Sequence, residues 1–169
     1  MPDSNSDNER FLVLMRHGVA ESAAPGTSDA DRSLTPEGHA AMKHISYGLE
    51  RVLPRVRAIY ASPLLRAGQT ARWVSKAYRL RAEIRTEETL APGASREAFL
   101  AFVAGISERR CVLVGHAPNL REALHALTGI DLGADPLPGG CYGIRLKGDG
   151  AGVLEWVLPP PILQKLGGE

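Results

Sequence analysis

The chain alternates short apolar runs with longer stretches in which apolar residues recur every three or four positions. FLVLM at 11–15, RAIYA at 57–61, AEIRT at 82–86 and CVLVG at 111–115 have the length and β-rich make-up of strands, and each is followed by a loop and an amphipathic stretch. This repetition predicts an α/β domain with a mainly parallel sheet. Helix starts are predicted at Thr35-Pro36-Glu37, Ser62-Pro63 and Ser95-Arg96-Glu97, where a capping hydroxyl precedes proline or a helix former. In the helix from Ser95, Phe99, Phe102, Val103 and Ile106 form a stripe suited to packing on a sheet. After Gly129 the texture changes. CYGIRLK and GVLEWVL, separated by the turn-rich GDGAG, predict an antiparallel hairpin that closes the sheet.

A length of 169 residues, 44% hydrophobic and 23% charged, fits one globular domain, placed at 11–158. Residues 1–10 are expected to be a disordered polar tail, and 159–169 a C-terminal tail, either a strap on the surface or disordered. The Ala/Gly/Ser/Asp-rich stretch at 22–31 reads as a loop within the domain. Twenty basic against nineteen acidic residues leave a net charge of +1, so no general field draws the chain to nucleic acid or anionic lipid, and any anion site must be local. MPDSNSDNER lacks the charged start and apolar stretch of a secretory signal, and no segment has the length of a membrane span. The expectation is a cytoplasmic protein with no membrane or nucleic-acid partner. Cys111 and Cys141 fall in strand-like runs and read as reduced core residues.

The chemistry gathers at strand ends. The first run leads directly into Arg16-His17-Gly18, and the fourth into Gly115-His116-Ala117-Pro118. In an open parallel sheet the carboxyl ends of the strands are where ligands bind, so two imidazoles can face one crevice. A third element, Ser62 to Thr70, places Arg66 in the first turn of a helix, where the helix dipole already repels a cation unless an anion lies between them. Exposed backbone N–H groups beside a guanidinium fork suit a phosphate. His39, His44 and His125 lie within helical stretches without the spacing of a zinc motif, and read as surface residues.

Taken together these segments resemble the histidine phosphatase superfamily, the phosphoglycerate mutase-like fold, and within it the short SixA-type phosphohistidine phosphatases. The resemblance rests on Arg16-His17-Gly18, Leu34-Thr35-Pro36-Glu37-Gly38, Ser62-Pro63-Leu64-Leu65-Arg66-Ala67-Gly68-Gln69-Thr70, Leu-Ala-Pro-Gly at 90–93, and His116 with Pro118, and it covers roughly 11–158. It implies a three-layer α/β/α sandwich with a mostly parallel central sheet and an antiparallel C-terminal hairpin. It also implies that His17 is the nucleophile, forming a phosphohistidine that water cleaves, with no metal or other cofactor. A backbone carbonyl on the other ring nitrogen would fix the tautomer, with Gly18 letting the chain turn close by. Arg16, Arg66 and a protonated His116 would hold the phosphoryl oxygens, and Gly18 and Arg32 would line the substrate site. Glu21 and Asp29, on the loop with Arg32, read as solvating residues.

Larger members of the superfamily use a carboxylate as general acid. The candidates here are Glu87 and Glu88, just after the third run, and they match no motif. An imidazole leaving group can itself be protonated, whereas an alkoxide needs help of about two to four decades, so a missing acid favours phosphohistidine in a protein, such as a signalling protein. The alternatives are a phosphatase of small phosphomonoesters such as sugar or nucleotide phosphates, a non-catalytic phosphate- or phosphoprotein-binding module, and a metal hydrolase built on His17 and His116. Retention of both histidines and both arginines argues against the binding module, and the lack of a carboxylate or Cys ligand motif argues against the metal hydrolase.

Overall fold

The computed structural model describes residues 9–79 and 84–168. Its strands are β1 (Arg10–Arg16), β2 (Ala58–Ala61), β3 (Arg85–Thr86), β4 (Arg110–Gly115), β5 (Cys141–Leu146) and β6 (Gly152–Leu158). The helices are α1 (Pro36–Val52), α2 (Leu65–Ala77), α3 (Arg96–Gly105), α4 (Asn119–Thr128) and α5 (Pro160–Leu166). The strands form one sheet in the order β3-β2-β4-β1-β5-β6, in which the first four run parallel and β5 and β6 antiparallel.

Period-two alternation divides the core. Leu12 and Leu14 of β1 point with Cys111, Leu113 and Ile144 toward Phe99 and Val103 of α3 and Leu120 and Leu124 of α4. Val13 and Met15 point the other way, with Val112, Val114 and Cys141, toward Met42 and Leu49 of α1, Ala71 and Val74 of α2, and Leu163 of α5. Helices on both faces of a buried sheet make the three layers anticipated above. The two cysteines are reduced and buried on opposite faces.

Four local expectations differ from the structure. Residues 160–166 form a helix packed on α1, with Leu163 fully buried, where a strap or a disordered tail was expected. Pro160 at the first helical turn accounts for its start, because the ring presets φ and the missing N–H has no helical partner there. The second helix begins at Leu65 with Leu64 in the N-cap position, so Ser62 is not its capping hydroxyl. The third strand is only Arg85–Thr86, at the sheet edge; residues 82 and 83 of the anticipated run lie outside the described residues. At the N-terminus, residues 1–8 of the anticipated tail likewise lie outside the described residues, while Arg10 opens β1.

Two glycines let the backbone near the site close up. A Cβ on Gly18 would lie 2.6 Å from Cγ of Met42, so close approach to α1 requires glycine there. The carbonyl of Val19 accepts from Thr35 N and lies against the first turn of α1, where a Cβ on Gly38 would overlap it.

Candidate active site

β1 and β4 are parallel neighbours in the register Arg16↔Gly115, so the residue after each strand end is a histidine and the two meet. The rings of His17 and His116 have centroids 5.1 Å apart, and their residues are 9% and 3% exposed. His17 Nδ1 lies 2.7 Å from the carbonyl oxygen of Gly18. A carbonyl only accepts, so Nδ1 carries the proton and Nε2 keeps its lone pair. Arg66 Nε donates to that Nε2 at 3.3 Å.

Arg66 is buried in the first turn of α2. Its Nη1 donates to the Asp29 carbonyl at 2.7 Å, and its Nη2 to Asp29 Oδ2 at 3.1 Å. The other carboxylate oxygen of Asp29 takes Arg32 Nη1 at 2.7 Å, and Arg32 Nε donates to Glu21 O at 2.7 Å. Asp29 therefore bridges two arginines, where the sequence had read it as a solvating loop residue. Arg16 Nη1 donates to Pro136 O at 2.9 Å, while its Nε is buried without a hydrogen-bond partner. Thr70 Oγ1 accepts from Gly18 N at 3.0 Å and Gln69 Oε1 from Leu34 N at 2.7 Å, so the last two residues of the Ser62–Thr70 segment tie the loop to α2.

α1 and α3 are capped by Thr35 and Ser95, whose hydroxyls accept from Gly38 N and Ala98 N. α2 and α4, which open beside the two histidines, have no side-chain cap. Their leading N–H groups add positive potential to a crevice that already holds Arg16 and Arg66.

This setting governs the two imidazoles. Burial pushes the pKa of His17 down to about 4; the Gly18 hydrogen bond opposes this, and the charges of Arg66, Arg16 and Arg32 reinforce it. Burial likewise pushes His116 down to about 3, with the neighbouring His17 and Arg66 next in importance. In the free protein desolvation beside cations disfavours the imidazolium of His116; the protonated ring expected from the sequence is one that faces a phosphoryl group. Hydrogen bonds from Arg32 and Arg66 hold the Asp29 carboxyl below the usual carboxylate range.

The structure brings together Arg16, His17, Gly18, Arg66 and His116, with Arg32 reaching them through Asp29. The carboxylates proposed as general acid are not joined to them. Glu87 caps the turn at Glu88–Leu90 by accepting from Thr89 N, and Glu88 is exposed. His39 accepts from Trp73 Nε1 at 3.0 Å on α1, His44 is half-buried on the same helix, and His125 is exposed on α4. Ser62, read from the sequence only as a cap, is 2% exposed, with Oγ 2.7 Å from His116 Nε2. Its place at the end of β2, next to β4, was the available signal.

Comparison with known proteins agrees with this geometry. The family model of the histidine phosphatase superfamily (branch 1) matches residues 12–91. An uncharacterized protein of Picosynechococcus sp. (strain PCC 7002) is 36% identical over 119 residues, 69% of this chain and 72% of that one. Among solved structures, the protein histidine phosphatase SixA complexed with tungstate superposes with a TM-score of 0.80 at 23% identity, covering 90% of this chain and 99% of the other. A candidate phosphohistidine phosphatase SixA from Agrobacterium tumefaciens gives 0.76 at 26% identity, over 89% and 99%. A mutant phosphoserine phosphatase from Entamoeba histolytica, in complex with phosphoserine, gives 0.71 at 17% identity, over 91% and 99%. With its strand-end histidines, its phosphoglycerate mutase-like sheet and a relative matched across most of both chains, this chain belongs to the histidine phosphatase superfamily.

Proposed function

We propose that this chain is a metal-independent phosphatase that passes the phosphoryl group through His17 and takes it from phosphohistidine in a protein. The observation that carries this reading is the state of His17: Nδ1–H is held by the Gly18 carbonyl, leaving an unprotonated Nε2 beside the buried Arg66 guanidinium. Nε2 attacks phosphorus in line as the bond from phosphorus to the substrate nitrogen breaks. The departing imidazole keeps the electron pair and takes a proton from water. A second water then attacks the phosphoryl group on His17, releasing phosphate and regenerating the ring.

Arg16, Arg66 and an N–H of His116 hold the non-bridging oxygens. Each cation at about 4 Å contributes on the order of 4 kcal/mol at an effective dielectric near 20, before desolvation is set against it. Preference for a nitrogen leaving group is supported by the carboxylates nearby. Asp29 is committed to two arginines and Glu87 to a backbone N–H, so neither is placed as a proton donor to an alkoxide. The SixA structures named above support the same substrate class. The competing reading, a phosphatase of small phosphomonoesters, is favoured by Glu87 emerging at the carboxyl end of the parallel strands, where the site lies, directly after β3.

The deciding experiment compares hydrolysis of a chemically phosphorylated histidine protein with that of p-nitrophenyl phosphate, with EDTA present, for wild type and His17→Ala. Turnover of phosphohistidine despite the chelator, lost by about a thousandfold or more in the variant, is the expected result. Cleavage of the aryl ester alone would transfer the assignment to small phosphomonoesters. Cleavage of neither would leave a phosphate-binding module.

A further inference from the structure

Ser62 and His116 make a buried contact that the scheme above leaves unused. Ser62 is fixed at the end of β2 by its backbone N–H to Val114 O at 3.0 Å, and His116 by its carbonyl accepting from Leu120 N at 3.0 Å. Between them Oγ lies 2.7 Å from Nε2, and Leu64 N donates to the same Oγ at 3.3 Å. His116 Nδ1 is buried without a hydrogen-bond partner.

A serine hydroxyl has one proton and two lone pairs, and Leu64 N–H occupies one of the lone pairs. If Nε2–H donated to the other, the hydroxyl proton would have no acceptor among the described residues, and Nδ1 would turn a bare lone pair to any anion in the crevice. If the hydroxyl donates to Nε2, Oγ accepts once and donates once, and the ring proton sits on Nδ1, whose N–H is left without a protein acceptor and so is free for an anion.

We propose that Ser62 is a positioning residue that fixes the tautomer of His116, so that the ring offers Nδ1–H to the phosphoryl group. The inference rests on the reading of His116 as a phosphoryl donor. It explains how a neutral imidazole works as a donor: the second tautomer would present a lone pair to phosphate and repel it. The arrangement parallels that of His17 with the nitrogens exchanged. There a carbonyl acceptor fixes the proton on Nδ1 to free Nε2 for attack; here a hydroxyl donor caps Nε2 to place the proton on Nδ1 for donation.

The test reads the ring nitrogens of the ¹⁵N-labelled full-length protein by long-range ¹H–¹⁵N correlation near neutral pH, with His116 assigned by its loss in His116→Ala. A protonated Nδ1 and a bare Nε2 are expected, and the reverse overturns the proposal even if no Ser62 variant folds. Ser62→Ala should yield mixed tautomers and lower kcat on the chemically phosphorylated histidine protein by about tenfold with KM little changed. It should cause no further loss in a His116→Ala background. An equal loss with and without His116 would mean that Ser62 acts otherwise, and would overturn the proposal. Absence of turnover in wild type would count against the functional reading alone, and the spectrum would still uphold or overturn the tautomer.

Discussion

The two ends of the parallel strands use the same residue type to opposite effect. At the amino ends, arginines are matched to fixed acceptors. Arg10 donates to the carbonyls of Val103 and Ile106 at the end of α3, and Arg110 donates to Pro54 O beyond the end of α1. Helices that run back along the sheet finish there, so each cation meets the negative end of a helix dipole and the carbonyls beside it. At the carboxyl ends the dipole points the other way. Arg66 sits in the first turn of α2, and Arg16 keeps an unpartnered buried Nε. Arginine at the end of a helix needs no further explanation; buried arginine at the start of one calls for an anion, part of which the Asp29 carboxylate supplies to Arg66.

Exchanging the two kinds of arginine for alanine is the strongest test of that contrast. Arg66→Ala should lower kcat/KM by about a hundredfold or more in a phosphatase assay. Arg110→Ala should leave the kinetics unchanged and lower stability by no more than about 1 kcal/mol, read by urea unfolding. Acid separates the two ends next. The native pKa values of His17 and His116, about 4 and about 3, lie below that of a free imidazole, so the unfolded chain takes up protons first as pH falls. The stability they contribute is complete above about pH 6.5 and declines toward pH 4, by roughly 1.4 kcal/mol per pH unit for each ring. Urea midpoints at pH 7 and pH 5 should therefore differ in wild type, and differ much less in a His17→Ala/His116→Ala double variant. The smallest loss of activity belongs to Asp29. Asp29→Ala should reduce kcat/KM by about tenfold, because Arg66 keeps the Asp29 carbonyl but loses the carboxylate that orients its fork, and Asp29→Asn should recover part of the loss.

Much of this was legible along the chain. Alternation of strand and helix patterns gave an α/β domain with a mainly parallel sheet, the resemblance implied its three layers, and the order of β1 and β4 carried His17 and His116 to matching strand ends, because parallel strands align their carboxyl termini. What escaped were pairings that only the folded sheet brings about. Ser62 and His116 lie 54 positions apart, and Asp29 and Arg66 lie 37 apart. A serine before a proline at a helix start satisfies the local rule for a cap, and an aspartate in a polar loop satisfies the rule for solvation. Both local rules were overridden by tertiary neighbours. The helix at Pro160 was missed because a seven-residue segment opening on prolines carries too little periodicity to declare itself.

Gly38 shows how little room the fold leaves in a place with no reacting atom. The Val19 carbonyl rests where its Cβ would be, and the segment that follows His17 is thereby pressed onto α1. The spacing between that segment and the helix is set by a single hydrogen. A methyl group, the smallest possible wedge, would pry the two apart and carry the displacement back along the chain toward the nucleophile. Position 38 is therefore a mutational blind spot: any L-amino acid there trades against the alignment of a ring that it never touches.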